Sequence, residues 1–140
     1  MGIRLTANHS SYVFYMGYGG FFSLRKNIAL ALDREFGEHY AGLIYCHTPA
    51  DFDAHDRRAE QIIAEKRLDE RYADVLDFLY APDTEGAISY ATAGKIYDLI
   101  KDTDFQDKGF RYAAERRNDY EELKLFLREC RSTRRKVRWN

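Results

Sequence analysis

The sequence predicts an α+β fold in which a small antiparallel sheet, made of N-terminal strands and a C-terminal strand, packs against four to five helices. Three observations predict it. The first sixteen residues hold short runs rich in aromatic and β-branched side chains. Long stretches between Phe21 and Cys130 repeat apolar residues at three- and four-residue steps. The tail alternates again, with Val137 and Trp139 on one side and Lys136 and Arg138 on the other. A period near 3.6 marks helices and a period of 2 marks strands, so the chain reads as strands, then helices, then a strand. A terminal strand bearing a tryptophan is expected to pair with the N-terminal strands.

Ile3-Arg4-Leu5-Thr6 reads as a strand that ends at Ala7-Asn8-His9-Ser10, and Tyr12, Phe14 and Met16 then alternate with Val13 and Tyr15 in a second strand. Gly17-Tyr18-Gly19-Gly20 is expected to be a tight connection, because glycine accepts positive φ angles. Phe21, Leu24, Ile28, Leu32 and Phe36 form one helical stripe, with Gly37 placed where a C-terminal cap would sit. Glu38 to Tyr45 continues helically after a kink, and Thr48-Pro49 breaks it. Asp56 to Tyr80 is helical again, first with Ala59, Ile62 and Ile63 inward and then with Tyr72, Val75, Leu76 and Leu79, where Asp69 is a candidate cap for the second piece. Pro82 to Gly86 is a loop. Ser89 caps a helix with Ala93, Ile96, Tyr97 and Ile100 inside, and Ile88 is available as a hydrophobic staple. Phe105 to Asn118 is looser, and Asp119 starts a helix bearing Tyr120, Leu123, Phe126, Leu127 and Cys130.

At 140 residues, with 45% hydrophobic and 32% charged residues and only two prolines, the chain is expected to fold as one globular domain, 1–140. No apolar run approaches the roughly 18 residues that cross a bilayer, and the N-terminus lacks the regions of a signal peptide, so a cytoplasmic protein is expected. Cys46 and Cys130 are too few and too far apart for a disulfide framework or a zinc motif. The net charge of -1 hides an asymmetry: Lys124, Arg128, Arg131, Arg134, Arg135, Lys136 and Arg138 crowd the C-terminal end, while residues 51–85 are acidic.

Four candidate sites follow. Gly17 to Gly20 open a helix that carries Arg25 and Lys26, with Tyr15 and Tyr18 beside it. A helix N-terminus attracts anions, glycine allows close approach, arginine grips phosphate and tyrosine stacks on a base. Tyr15, Tyr18, Gly19, Gly20, Arg25 and Lys26 are therefore the candidate ligand-binding residues. The competing reading is a glycine turn with its aromatic side chains in the core. His47, Asp51, Asp53, His55 and Asp56 carry metal-capable groups, but their spacing matches no established motif, and Asp51 after Pro49 fits equally the acidic first turn of a helix. Cys46 beside His47 has the elements of a nucleophile and base without any guarantee that they face each other. The basic tail with Trp139 has the footprint of a phosphate contact, yet the pI of about 6.4 argues against a dedicated DNA binder, and a cationic edge strand that resists aggregation explains the same residues. Neither a dinucleotide fingerprint nor a phosphate-binding P-loop is present, and no cofactor is indicated.

Met16-Gly17-Tyr18-Gly19-Gly20-Phe21-Phe22-Ser23-Leu24-Arg25-Lys26-Asn27-Ile28-Ala29, followed by Gly86-Ala87-Ile88-Ser89, Lys95-Ile96-Tyr97-Asp98-Leu99-Ile100-Lys101, Leu123 to Cys130 and Arg138-Trp139, resembles a family of small uncharacterised proteins encoded in bacteriophage and prophage genomes. The likeness runs through most of the chain in separate pieces and contains no catalytic signature. It implies a virus-encoded protein acting inside a bacterium, where small accessory proteins interfere with host defence or host enzymes.

The function expected from these features is a non-enzymatic, phage-encoded anti-defence protein that sequesters a small anionic or nucleotide ligand. An inhibitor or adaptor that binds a host protein through its tyrosines is a second reading, and a metal-assisted hydrolase centred on Asp51 to Asp56 is a third. The tyrosines also allow an interface between copies of the chain.

Overall fold

A computed structural model describes residues 2–11, 13–103 and 117–140, with side chains described from Tyr120 onward in the last stretch. The elements run β1 (Gly2–Ala7), β2 (Val13–Gly17), α1 (Tyr18–Leu32), α2 (Arg34–Ala41), a 3-10 turn (Gly42–Tyr45), α3 (Pro49–Lys66), α4 (Asp69–Tyr80), β3 (Gly86–Ile88), α5 (Tyr90–Ile100), α6 (Arg117–Ser132) and β4 (Val137–Trp139). The α+β class with a small antiparallel sheet packed against helices is as the sequence predicts. The helix count is higher, at six among the described residues, because the predicted first helix is divided at Asp33; the expected second piece of the 56–80 stretch is α4. Asp33 adopts an extended conformation and its carboxylate accepts the Phe36 amide, ending α1 and capping α2 in one residue. Arg67 turns left-handed (φ 54°) between α3 and α4. Most of the predicted looser stretch, Phe105 to Asn118, lies outside the described residues.

The sheet order is β2-β1-β4-β3 and every pair is antiparallel. Register fixes two faces. Leu5 lies opposite Phe14 and Trp139, and Ile88 opposite Val137; these side chains are buried with Ile3 and Ala7 against the helices. Arg4 lies opposite Tyr15, and Thr6 and Ala87 both lie opposite Arg138, so these residues share the outer face. The tail therefore pairs with β1 as predicted, but it is an interior strand, which corrects the edge-strand reading of its cations. The partner that covers its other side is β3, a three-residue strand too short for alternation to reveal.

Four further expectations need correction. Tyr18 to Gly20 form the first turn of α1, not a separate tight turn, and no glycine among the described residues has a positive φ. Gly37 lies inside α2, where its missing Cβ lets the helix approach the backbone of Leu30 in α1. Thr48-Pro49 starts a helix: the Thr48 hydroxyl accepts the Asp51 amide, the Asp51 carboxylate accepts the Thr48 amide, and Pro49 occupies the first position, where its missing N–H costs nothing. Asp69 is the first helical residue of α4 and makes no cap; Leu68 holds the cap position.

Asp74 joins α4 to α5, accepting hydrogen bonds from the Thr92 hydroxyl (2.7 Å) and the Lys95 ammonium (3.0 Å). Burial pushes its pKa up, but these two donors outweigh burial and leave it below the usual value, and Asp33 is lowered by the same balance with the Phe36 amide and Lys66. Carboxyls held below their unfolded pKa stabilise fully above about pH 4 and lose that contribution as pH falls further. Acidification from about pH 6 to about pH 3 is expected to lower the urea midpoint, and by less in Asp74→Asn than in the wild type. A second stability test concerns close packing. Gly37→Ala is expected to cost about 1–3 kcal/mol in urea unfolding despite alanine's better helix propensity, because the obstacle is backbone. Gly42→Ala, with open space and φ -68°, is expected to gain about 0.4–1 kcal/mol.

Candidate functional site

The N-terminal end of α1 follows directly on the end of β2, with Gly17 shared between them. Gly17 is the cap residue, in extended conformation (φ -71°, ψ 165°), and contributes no side-chain acceptor; no acidic residue occupies the first turn. The ends of α2, α3 and α5 are instead capped by Asp33, Thr48 and Ser89, and that of α4 carries Asp69 and Glu70. The positive end of the α1 dipole is thus left uncompensated by side chains. Tyr15 is 71% exposed and Tyr18 45% exposed, while a Cβ at Gly19 would meet open space. Gly20 is half-buried in the same turn, and Lys26 is half-buried two turns further along. Tyr18 stands one helical turn before Phe22, whose ring stacks on Tyr40 (6.0 Å, 16°); Tyr40 in turn meets Tyr80 edge-on (5.6 Å).

Arg25 does not join the exposed tyrosines. It is 4% exposed, on the face of α1 that looks into the core, with its guanidinium 4.3 Å from the Phe21 ring, 5.2 Å from Phe78 and 6.0 Å from Trp139. Nη1 donates to Asp83 Oδ1 at 2.8 Å, and Trp139 Nε1 donates to the Pro82 carbonyl at 3.0 Å, so two core side chains hold the 81–85 loop. Burial draws the Arg25 pKa down while Tyr40 and Asp83 favour its charge. The expectation of Arg25 as an accessible ligand contact is corrected: it is a buried cation held by π faces and one carboxylate, with Nε and Nη2 lacking a hydrogen-bond partner among the described residues. The missing clue in sequence was its partner, which lies 58 residues away.

Two of the metal-capable residues, Asp51 and His55, serve the fold. Asp51 closes the capping box of α3 and accepts the His47 amide, and these backbone donors lower its pKa. His55 is buried and stacks on His39 (4.0 Å between centroids), and each Nε2 lies within 2.9 Å of the other residue's carbonyl. A carbonyl only accepts, so both imidazoles donate through Nε2 and clasp α2 to α3. Asp53 and Asp56 point outward. Among the described residues no group of three or more His, Cys, Asp or Glu side chains is placed to hold a metal ion. The Cys46 thiol lies 3.8 Å from the carbonyls of Gly42 and Asp51, and burial pushes the Cys130 thiol up to about 11.

The basic tail divides into two sets. Arg131 donates to Asp98 (2.9 Å) beside the Tyr97 ring, Arg135 donates to the carbonyls of Asn8 and His9, and Lys124 pairs with Glu121 (3.2 Å). Lys136 and Arg138 are exposed, alternating with buried Val137 and Trp139. A cavity of about 400 Å³ lies on the α6 side of β1, floored by Ala7, Phe126 and Cys130 and bordered by Leu125, Glu122, Glu129 and Arg135. Its two carboxylates outnumber the one guanidinium of Arg135, whose Nη1 also donates to the two carbonyls, so the lining is net negative.

Arg25 generates a direct test of this arrangement. Arg25→Ala is expected to destabilise the fold by about 2–4 kcal/mol, since it empties a site between three rings. Arg25→Met, which fills the same space without charge, is expected to stay within about 1.5 kcal/mol of the wild type in urea unfolding. No protein-family model, curated protein or solved structure matches this chain.

Proposed function

We propose that the protein is a non-enzymatic binder that takes a small anionic, nucleotide-like ligand at the N-terminal end of α1. The observation that carries this reading is an uncapped, acid-free helix start set between two exposed tyrosines. First-turn amides and the helix dipole favour a phosphate, Gly19 lets it approach the backbone, and Tyr15 or Tyr18 offers a face to a base. The α6 cavity fits such a ligand less well, because Glu122 and Glu129 repel an anion. In the setting that the phage resemblance implies, the protein acts in the bacterial cytoplasm and removes a nucleotide signal from host defence. No helix among the described residues is long and apolar enough to cross a membrane.

A host-protein partner is the second reading, favoured by a separate observation. Ile44 (59% exposed), Tyr45 (78%) and Phe52 (44%) stand out at the corner between α2 and α3, and aromatic groups are enriched at interfaces.

The two readings separate in a thermal-shift screen with inorganic phosphate, linear and cyclic nucleotides, followed by heat release and mass spectrometry of each hit. A raised Tm with the nucleotide recovered intact supports sequestration, whereas a flat panel with a host protein co-purifying supports the interface. Gly19→Asp sharpens the test. Its carboxylate in the first turn is expected to stabilise the helix by about 0.3–1 kcal/mol through the dipole while it weakens nucleotide binding at least tenfold. Higher stability with unchanged affinity would move the ligand elsewhere.

A further inference from the structure

We infer that the outer face of the sheet is a binding surface for single-stranded nucleic acid. The inference extends the proposed site from the α1 end across the strands, and it rests on that reading only in sharing Tyr15 and Tyr18. Outer-face positions in the four strands are Gly2, Arg4 and Thr6, Val13, Tyr15 and Gly17, Ala87, and Arg138; Lys136 and Asn140 continue the alternation at the two ends of β4. These positions hold three cations and no carboxylate.

Many cations of this chain are committed to a carboxylate, and these three are not. Arg25, Arg34, Arg58, Lys66, Lys95 and Arg131 each pair with a carboxylate. Among the described residues no carboxylate pairs with Arg4, Lys136 or Arg138, and the Arg4 guanidinium is positioned on the face by its Nε–H donating to Asn140 Oδ1 (3.1 Å). Protection of a sheet edge does not account for them, because β1 and β4 are both interior. Arg4 and Arg138 are diagonal neighbours, about 7–8 Å apart at the backbone, and Lys136 follows about 7 Å further along β4. Like charges gathered at this spacing repel one another and gain from a polyanion whose phosphates run past them.

Tyr15 selects the class of polyanion. Its ring stands 71% exposed directly opposite Arg4 on an open sheet, where it can stack on a base only if that base is already unstacked from its neighbours. Tyr18, at the sheet's end, provides a second ring. The chain's net charge of -1 does not oppose this, since the acidic excess is carried by residues 51–85, in α3, α4 and the loop after them. Such separation of charge turns the basic face toward an approaching polyanion.

The test is fluorescence anisotropy with a labelled single strand of about 12 nucleotides, a duplex of the same length, and a mononucleotide as competitor, each over a salt series. The single strand is expected to bind more tightly than the duplex, and its affinity to fall with salt. Arg4→Gln and Arg138→Gln are each expected to reduce the log–log salt slope by about 0.7, the loss of one phosphate contact. Tyr15→Thr is expected to weaken binding roughly tenfold and Tyr15→Phe to restore it. Arg58→Gln, the same charge change on α3, is the control that leaves binding unchanged, and circular dichroism melting verifies the fold of each variant. A single strand that does not bind, a duplex that binds equally well, or a salt slope indifferent to Arg138→Gln overturns the inference. If a mononucleotide raises the Tm while the single strand binds no more tightly, the sheet surface is wrong and the α1 site stands. If the single strand binds as described and Gly19→Asp leaves mononucleotide affinity intact, the sheet surface stands and the α1 site is wrong.

Discussion

The indole of Trp139 is the contact on which the rest of the structure depends, because it closes the core from the last residues of the chain while its strand joins parts of the sheet that do not otherwise touch. The ring is 2% exposed, edge-on to Phe78 at 5.3 Å and tilted on Phe21 at 6.0 Å. Gly86 in β3 leaves room for it, since any Cβ there would overlap the ring. The indole N–H holds Pro82, and Asp83 beside it pairs with Arg25. One side chain thus ties together α1, α4, the 81–85 loop and both neighbours of β4. β4 pairs with both β1 and β3, each far from it in sequence, so the sheet forms through contacts of long sequence separation.

Insertion of β4 also decides which arginines serve the fold and which face solvent. Side chains alternate along a strand, so burying Val137 and Trp139 forces Lys136, Arg138 and Asn140 outward. Arg25, reached from the inner side of the same strand, is desolvated and spends its charge on three rings and one carboxylate. Arg138, one residue before Trp139, remains hydrated and unpaired with any carboxylate among the described residues. Two arginines that look alike in the sequence therefore have opposite physical roles, separated by the thickness of one sheet.

The sequence made legible whatever depends on local periodicity. The stripe Phe21, Leu24, Ile28, the Ser89 cap and the alternation at Val137 and Trp139 all correspond to elements of the structure. Divisions set by single residues were hidden. Asp33 interrupts a continuous apolar stripe because its carboxylate competes for the Phe36 amide, and Gly37 looked like a cap because its real role, close approach to Leu30, involves a different helix. The candidate site was legible in part. Tyr15, Tyr18 and Gly19 are exposed at a helix start, but the burial of Arg25 depends on Asp83 and Trp139, neither of which lies near it in sequence. The outer sheet face was illegible for the same reason, since Arg4, Tyr15 and Arg138 become neighbours only once strand order and register are known.

The central claim, that anions are received where the α1 start meets the outer face of the sheet, is tested most directly by amide chemical-shift mapping during titration with a short single-stranded oligonucleotide. Shifts are expected to concentrate at residues 13–20 and at the outer-face positions of β1 and β4, with α3 and the Ile44–Phe52 corner silent. Shifts confined to that corner or to the α6 cavity, or a spectrum that does not change, would contradict it.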